Sequence, residues 1–394
     1  MCEIFSFLIA LASIFFFSKI FGEFALKFGQ SVIIGELVAG IIIGPSFLGI
    51  VSKTQILSSI SELGAIILLF EVGLSTNIEK FLKAGGWALV VAFVGVIIPY
   101  FFGYFIFLYF GGLTNIQAIF AGAVLTATSV GITARVFMDL QFLETEEAKI
   151  VLGAAVIDDV IGLVILAVVS KLIIGGTITF GTILSISGTA VLFLILSIII
   201  GVLIVQIFFK LILKMKQQHV TLIMGIVFCL ILSALSIKVR LAPIVGAFVA
   251  GLVLSTIKQE KEIKEKIEPI YAFFVPIFFV TMGINVDINV FNPFVVSNRE
   301  ILVLVGVLFV VAFIGKILSG FVVLKKNINK LLVGISMVPR GEVGLIFAGI
   351  GLQNNVFNAK NYSALIAVIM LTTFVTPIIL KSLISKKKND SIII

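Results

Sequence analysis

Two adjacent carboxylates interrupt one of the most apolar stretches of this chain. The segment AAVIDDVIGLV places Asp158 directly beside Asp159. A charge at the centre of a membrane-spanning helix costs about 2.5–3.5 kcal/mol, and such residues generally have a functional role. Carboxylate oxygens bind hard cations as well as protons. The pair therefore predicts a site that carries an ion or a proton, and neutralisation by purely structural contacts is the alternative.

Helix geometry predicts that the two carboxylates can border one cavity and still have different partners. Adjacent residues on an α-helix point about 100° apart. Lys316, in the segment FIGKILSG, is a candidate partner, and we expect an ion pair with Asp158 in the first place. The alternative is that the lysine snorkels to the membrane surface. About 12 Å of helix separates it from the basic end of its segment, which is long for one side chain.

Two further segments combine polar residues with residues that break helices. The segment LTATSVGITAR contributes Thr126, Thr128 and Ser129, and the segment MVPRGEVG contributes Pro339. Proline removes a backbone donor and clashes with the preceding helical turn. Paired broken helices at mid-membrane depth supply carbonyls, amides and helix dipoles to an ion. Hydrogen bonding between helices is the alternative role of the Ser and Thr residues.

Several other ionisable residues are supporting candidates. Arg340 and Glu342 stand on either side of one glycine at the second break, where we expect structural neutralisation, with direct contact to an ion as the alternative. Glu36 lies in the second apolar segment and Glu71 near the end of the third, and both fit interfacial positions. His219, the only histidine, falls in a basic loop, where a solvated side chain is expected rather than a pH sensor.

The elements that position these residues must lie in a membrane. Of the 394 residues, 60% are hydrophobic and 12% are charged, whereas about a quarter of the residues in soluble proteins are charged. The net charge of +8 does not indicate nucleic-acid binding, because the lysines lie in short loops between apolar segments. The two cysteines provide no disulfide framework. The sequence contains no phosphate-binding loop, metal motif or nucleophile–base set, so we expect neither an enzyme nor a cofactor.

Apolar segments of about twenty residues predict thirteen membrane-spanning helices. They are expected at 3–26, 31–49, 56–76, 84–110, 115–138, 145–172, 180–213, 219–237, 242–257, 267–284, 299–324, 328–352 and 361–384. With the N-terminus outside, eighteen of the 28 Lys and Arg residues fall in inner segments and six in outer ones. The positive-inside rule thus predicts an outer N-terminus and a cytoplasmic C-terminus. Short loops and the absence of a transit peptide favour a prokaryotic cell membrane.

Two pairs of segments recur about 210 residues apart, which indicates an internal repeat. GELVAGIIIG (35–44) is similar to GAFVAGLVLS (246–255), and EVGLSTNIEKF (71–81) is similar to TMGINVDINVF (281–291). The offset corresponds to seven helices, and an odd shift inverts the second copy in the membrane, as in many secondary transporters. Chance recurrence of small residues in membrane helices is the alternative.

Five motifs together give the chain a family resemblance. In order, GELVAGIIIGP, TATSVGITARV, VIDDVIGLV, GKILSG and VPRGEVGL resemble the monovalent cation–proton antiporters, specifically the second branch, which carries an Asp–Asp pair. The resemblance covers residues 5–384 and implies an all-α membrane fold of thirteen helices in two inverted six-helix repeats. It implies that Asp159, with Asp158 beside it, binds Na⁺ and that Lys316 pairs with Asp158. It also implies that the helices cross at Thr126, Thr128 and Ser129.

The resemblance further implies a moving transport core and a dimerisation scaffold. The scaffold would comprise residues 1–83 (helices 1–3) and 214–292 (helices 8–10). The core would comprise residues 84–172 (helices 4–6) and 293–384 (helices 11–13). Helix 7, in residues 173–213, would link the two halves, and residues 385–394 would form a cytoplasmic tail.

These expectations describe an electrogenic antiporter that exchanges Na⁺ or Li⁺ for H⁺ by alternating access with an elevator-like motion. Its partners would be monovalent cations, protons, membrane lipid and a second copy of the chain. Exchange of K⁺ for H⁺ is the closest alternative, because the sequence does not give the size of the cavity. A sodium-coupled solute symporter would need a larger cavity at mid-membrane depth, and a passive cation channel would carry current without proton coupling.

Overall fold

Long apolar runs form long α-helices throughout this computed structural model, which describes residues 2–110, 112–173, 180–215, 217–292, 296–354 and 356–392. These residues form fifteen α-helices and one short 3-10 turn (Ile288–Phe291). The helices are α1 (Cys2–Lys27), α2 (Val32–Ile43), α3 (Gln55–Leu74), α4 (Ile78–Tyr109), α5 (Asn115–Val124), α6 (Val130–Asp139), α7 (Glu146–Ile173), α8 (Phe180–Ile212), α9 (Val220–Lys238), α10 (Pro243–Leu254), α11 (Glu260–Ile284), α12 (Val296–Phe321), α13 (Lys330–Ser336), α14 (Gly341–Gln353) and α15 (Ala359–Ile392).

The predicted all-α membrane architecture is confirmed. In the part of the chain that the structure describes, eight helices are long and apolar enough to cross a membrane by themselves. Among the described residues, α5 with α6 and α13 with α14 are halves of two interrupted helices. Counting each pair once gives thirteen helical segments, at the places where the sequence predicts thirteen. That all thirteen cross the membrane stays a prediction.

Some helix ends differ from their predicted positions. The second segment was expected to reach residue 49, but α2 ends at Ile43, just before Gly44 and Pro45. The residue before a proline is disfavoured in the α conformation, which explains the early end. Helix α10 begins with Pro243 at its first position, where proline is tolerated. Both helices have 12 residues, or about 18 Å, against a hydrocarbon thickness of about 30 Å.

Two other helices are longer than predicted. Helix α11 begins at Glu260 rather than near residue 267 and continues through Pro269 and Pro276. Its first turn carries Glu260 and Glu262, whose charges are favourable at a helix N-terminus. Helix α15 extends to Ile392, beyond the predicted end at residue 384 and into the predicted tail.

Glycines allow two pairs of helices to approach each other closely. A Cβ atom on Gly40 of α2 would lie 2.0 Å from the Val280 oxygen of α11, and one on Gly283 would lie 2.1 Å from the Leu37 oxygen. Helices α3 and α10 meet in the same way, since a Cβ atom on Gly73 or Gly251 would collide with the backbone of the other helix. In the predicted repeat, α2 corresponds to α10 and α3 corresponds to α11. The contact between α2 and α11 therefore corresponds to the contact between α10 and α3. They support the repeat, whose inversion in the membrane stays a prediction.

Packing groups the helices into two bodies. Helices α1, α2, α3, α9, α10 and α11 pack mainly on one another, and α4, α5, α7, α12, α13, α14 and α15 form a second group. Half-helix α6 lies between them, with contacts to α2 and α3 as well as to α7 and α15. We refer to the first group as the scaffold and to the second, with α6, as the core. A movement of one against the other stays a prediction.

Candidate ion site at the crossing of two broken helices

The two predicted helix breaks meet inside the core. Helix α5 ends at Val124 and α6 begins at Val130, while α13 ends at Ser336 and α14 begins at Gly341. The Ser129 N–H donates to the Pro339 carbonyl at 2.7 Å. The structure thus brings together the two breaks that the sequence places about 210 residues apart.

Side chains of the first broken helix reinforce this crossing. The Thr133 hydroxyl donates to the Ser336 carbonyl at 2.7 Å, and the Thr128 hydroxyl lies 3.5 Å from the Met337 carbonyl. Thr126 instead donates to the Ala123 carbonyl of its own half-helix at 2.8 Å. The Thr133 hydroxyl thus supplies a donor to a carbonyl at the end of α13, where the helix breaks.

The second break requires glycine at its end. Gly341 has a φ of +44°, in the region that glycine adopts without a steric penalty. A Cβ atom there would lie 2.3 Å from the Ser129 hydroxyl oxygen. Pro339, two residues earlier, has no amide to donate. The local sequence thus both interrupts the helix and lets the two breaks touch.

Arg340 is completely buried and binds backbone carbonyls. Its guanidinium donates to the carbonyl oxygens of Ala127 at 3.0 Å and Thr126 at 3.4 Å, just after the C-terminus of α5. It also donates to the Ala312 carbonyl of α12 at 3.0 Å. A cation at the C-terminus of a half-helix is favourable because the helix dipole is negative there. This geometry favours the structural role predicted for Arg340. The side chain of its predicted companion, Glu342, lies outside the described residues.

Asp158 and Lys316 form a buried ion pair between α7 and α12. The Lys316 Nζ lies 3.4 Å from the Asp158 Oδ2, and the two side chains are 0% and 2% exposed. Lys316 does not snorkel to the surface, so that alternative is wrong. Gly95 of α4 leaves room for the ammonium group, because a Cβ atom there would lie 3.4 Å from the Lys316 Nζ. The motif GKILSG, which contains Lys316, gives no indication that Gly95 on another helix makes room for the lysine.

Asp159 faces the boundary between core and scaffold. Its side chain is half-buried and borders a gap of about 10 Å³. The gap is otherwise lined by apolar residues, namely Leu69, Val130, Leu152, Val156, Ile244, Val245 and Phe248. A cavity of this size holds about one water molecule. In this conformation the gap therefore has no room for a cation with its hydration shell.

The remaining candidates lie away from this crossing. Glu36 and Glu71 line a separate cavity together with Arg135 and Tyr271, two residues that we had not singled out. Arg135 stands at the end of the quoted segment LTATSVGITAR, whereas Tyr271 carried no sequence signal. His219 is exposed just before α9, as expected of a solvated side chain.

A helical membrane bundle in which two broken helices cross beside a buried carboxylate–lysine pair has the architecture of a secondary transporter. A family profile described as "Sodium/hydrogen exchanger, transmembrane" matches residues 9–386. The chain therefore belongs to the sodium/hydrogen exchanger family. This confirms the antiporter resemblance, while assignment to the branch with an Asp–Asp pair stays a prediction.

Individual relatives agree over nearly the whole length. The high-affinity Na⁺/H⁺ antiporter NhaS3 of Synechocystis sp. is 37% identical over 97% of this chain and 91% of its own. The Na⁺/H⁺-K⁺ antiporter GerN of Bacillus cereus is 32% identical over 96% of both chains. The fold is similar to that of the sodium proton antiporter MjNhaP1 from Methanocaldococcus jannaschii, with 18% identity, a TM-score of 0.67 and 96% of each chain covered.

Proposed function

We propose that the protein exchanges Na⁺ or Li⁺ for H⁺ across the cell membrane. The observation that carries this proposal is the pair of adjacent aspartates with different surroundings, one bound to buried Lys316 and the other facing the core–scaffold boundary. Family membership and the names of NhaS3 and GerN support the same substrates.

Competition for one carboxylate is sufficient to couple the two fluxes. Asp159 carries either a proton or a cation, since both bind carboxylate oxygens. When it is protonated, Lys316 holds Asp158. When Asp159 is deprotonated, a cation enters and is also coordinated by oxygens of Asp158. This weakens the ion pair between Asp158 and Lys316. An empty site leaves the ionised Asp159 uncompensated while Asp158 stays paired with Lys316, and this charge is penalised in an apolar environment, so an empty site does not cross.

The same hypothesis includes a motion and a stoichiometry. The core moves against the scaffold and exposes Asp159 to each side in turn, an elevator-like form of alternating access. Exchange is electrogenic, with more than one proton per cation: Asp159 gives up one proton, and Lys316 gives up a second when the cation binds Asp158 and removes its partner. The N-terminus lies outside, the C-terminus is cytoplasmic, and two copies associate through their scaffolds. The lysine distribution supports this orientation.

Exchange of K⁺ for H⁺ is the second candidate. One relative over nearly the full length, GerN, is named for both Na⁺ and K⁺. Carboxylate and carbonyl oxygens bind either ion, and cavity size and ligand number decide between them. The gap beside Asp159 is closed in this conformation, so it does not favour one ion over the other.

Proteoliposomes with a preset pH gradient test the proposal. Na⁺, Li⁺, K⁺ or choline is added in turn, and internal pH is followed with a fluorescent dye. We expect Na⁺ and Li⁺ to dissipate the gradient, choline to have no effect, and folded Asp159→Asn protein to respond to no cation. A response to K⁺ alone would show that the transported cation is K⁺, and the antiport function would stand. Na⁺ flux that requires an organic solute would favour a symporter and contradict the proposal.

A further inference from the structure

A second, much larger cavity lies at the core–scaffold boundary. It has a volume of about 600 Å³ and lies between half-helix α6 and the scaffold helices α1, α2, α3 and α11. Its rim carries exposed charged residues of both signs, namely Lys19, Lys261, Lys264, Glu265 and Glu268. We call this cavity the vestibule.

Two carboxylates at the floor of the vestibule each have a buried oxygen to which no described residue donates a hydrogen bond. Glu36 of α2 is 2% exposed and Glu71 of α3 is 9% exposed. The Oε2 atom of each has no hydrogen-bond partner among the described residues. A buried carboxylate oxygen without a donor is costly unless an ion, a proton or water satisfies it. The floor therefore requires an occupant.

Arg135, the one arginine in the vestibule wall, is already bound elsewhere. Its Nε lies 2.9 Å from the Asp139 Oδ1, its Nη1 donates to the Tyr271 hydroxyl, and its guanidinium carbon lies 4.8 Å from the Tyr271 ring centroid. Ser31 lies 3.4 Å from the other Asp139 oxygen. Because Asp139 balances the charge of Arg135, the two glutamates are not neutralised by a direct ion pair.

The charges around each glutamate leave the floor negative. Those that act on Glu36 are Arg135, Asp139 and Lys19, and those that act on Glu71 are Arg135, Lys264 and Glu268. The lysines among them are exposed at the rim, where water screens them. Asp139 offsets Arg135, so the ionised carboxylates of Glu36 and Glu71 leave the floor negative, which attracts a cation.

The ligand set provides too few protein oxygens for a calcium ion and fits a cation that keeps part of its hydration shell. The described residues contain no group of three or more acidic, His or Cys side chains arranged to hold a metal ion. A calcium ion takes six to eight oxygen ligands. A monovalent cation that keeps part of its hydration shell needs fewer protein oxygens, and the vestibule has room for its water.

The vestibule and the gap beside Asp159 share two walls. Leu69 of α3 and Val130 of α6 line the gap, while Glu71 and Arg135 of the same two helices line the vestibule. We propose that Glu36 and Glu71 form a second cation site, which holds the incoming Na⁺ with part of its water before it reaches Asp159. The inference rests on the proposed exchange function.

Na⁺ binding in the Asp159→Asn background tests the second site directly. Na⁺ affinity is measured from the Na⁺-dependent melting temperature in detergent, with choline chloride at matched ionic strength. We expect Asp159→Asn protein to retain Na⁺ binding, and added Glu36→Gln and Glu71→Gln to weaken it about tenfold, equivalent to roughly 1.4 kcal/mol. Added Glu265→Gln, at the exposed rim, should leave affinity unchanged. Absence of Na⁺ binding in Asp159→Asn protein, or equal effects of all three glutamine variants, would overturn the proposal.

Transport from each side separates ion capture from a structural role. With Asp159 intact, Glu71→Gln should raise the KM for Na⁺ offered on the vestibule side about tenfold, with kcat and the KM on the opposite side unchanged. Glu36→Asp keeps the charge and should restore the affinity that Glu36→Gln loses. Equal losses on both sides would contradict capture. If wild-type protein exchanges no Na⁺, the proposed function fails, while the binding comparison still decides whether the second site exists.

Discussion

Asp158 and Asp159 are adjacent on α7 and of the same type, but their surroundings differ. Asp158 faces the core, where it is 2% exposed and paired with Lys316. Asp159 is half-buried and faces Leu69, Ile244 and other apolar residues of the scaffold. One carboxylate is thus fixed within a body, and the other lies where two bodies meet.

This difference separates two tasks within one site. A group that exchanges ions with both sides of the membrane must be accessible as the bodies move, which suits the boundary position of Asp159. A group that compensates a buried lysine must stay in place, which suits Asp158. The predictions below test this division, beginning with the largest expected effect.

Replacing the boundary carboxylate should abolish exchange. Asp159→Asn keeps the shape of the side chain but removes the charge that a cation needs. We expect no ²²Na⁺ uptake into proteoliposomes driven by a pH gradient, with a melting temperature near that of the wild type. Uptake at the wild-type rate would remove Asp159 from the mechanism.

Breaking the core ion pair should mainly cost stability. Lys316→Ala leaves Asp158 buried without its partner, and removing one partner of a buried pair costs about 3–5 kcal/mol. We expect a lower melting temperature and altered proton coupling. Adding Asp158→Asn to Lys316→Ala should recover part of the stability, because the uncompensated charge is gone. A Lys316→Ala protein with unchanged melting temperature would show that the pair contributes nothing.

Removing the guanidinium at the crossing should destabilise the core. Arg340→Gln cannot reach the carbonyls of Thr126, Ala127 and Ala312 together. The carbonyls of Thr126 and Ala127 after α5 would lose their donor, and each buried carbonyl left without one costs about 1–3 kcal/mol. Thermal unfolding in detergent measures the loss, with Arg240→Gln at an exposed position as the control. Equal melting temperatures for the two variants would contradict the structural role of Arg340.

Close packing within the scaffold predicts a smaller loss. Gly40→Ala places a methyl group 2.0 Å from the Val280 oxygen, and overpacking of this kind costs about 1–3 kcal/mol. Gly85→Ala in α4 meets nothing within 4 Å and should stabilise its helix by roughly 0.5–1 kcal/mol. If both variants melted alike, α2 and α11 would not be packed as the structure has them.

Features that depend on nearby residues were predictable from the sequence. The helix breaks were marked by Pro339, Gly341 and the Ser/Thr run, because these residues act on their own backbone. Apolar length gave the helices of the bundle, and helix geometry separated the directions of the two aspartates. Lys316 stood out because a charge deep in an apolar segment needs a partner.

Features that depend on distant packing were not predictable. The three carbonyls around Arg340 come from two elements far apart in sequence, so no local pattern indicates them. Tyr271 became visible only when α6 and α11 were brought together around Arg135.

Na⁺-driven proton flux in two variants tests the division of tasks most directly. In the first, Asp158→Asn is combined with Lys316→Gln, which removes the buried pair without leaving a lone charge. In the second, Asp159→Asn stands alone. We predict that the first variant still dissipates a pH gradient on addition of Na⁺, with a changed number of protons per cation, and that the second does not. An inactive first variant that is folded, beside an active second one, would contradict the account.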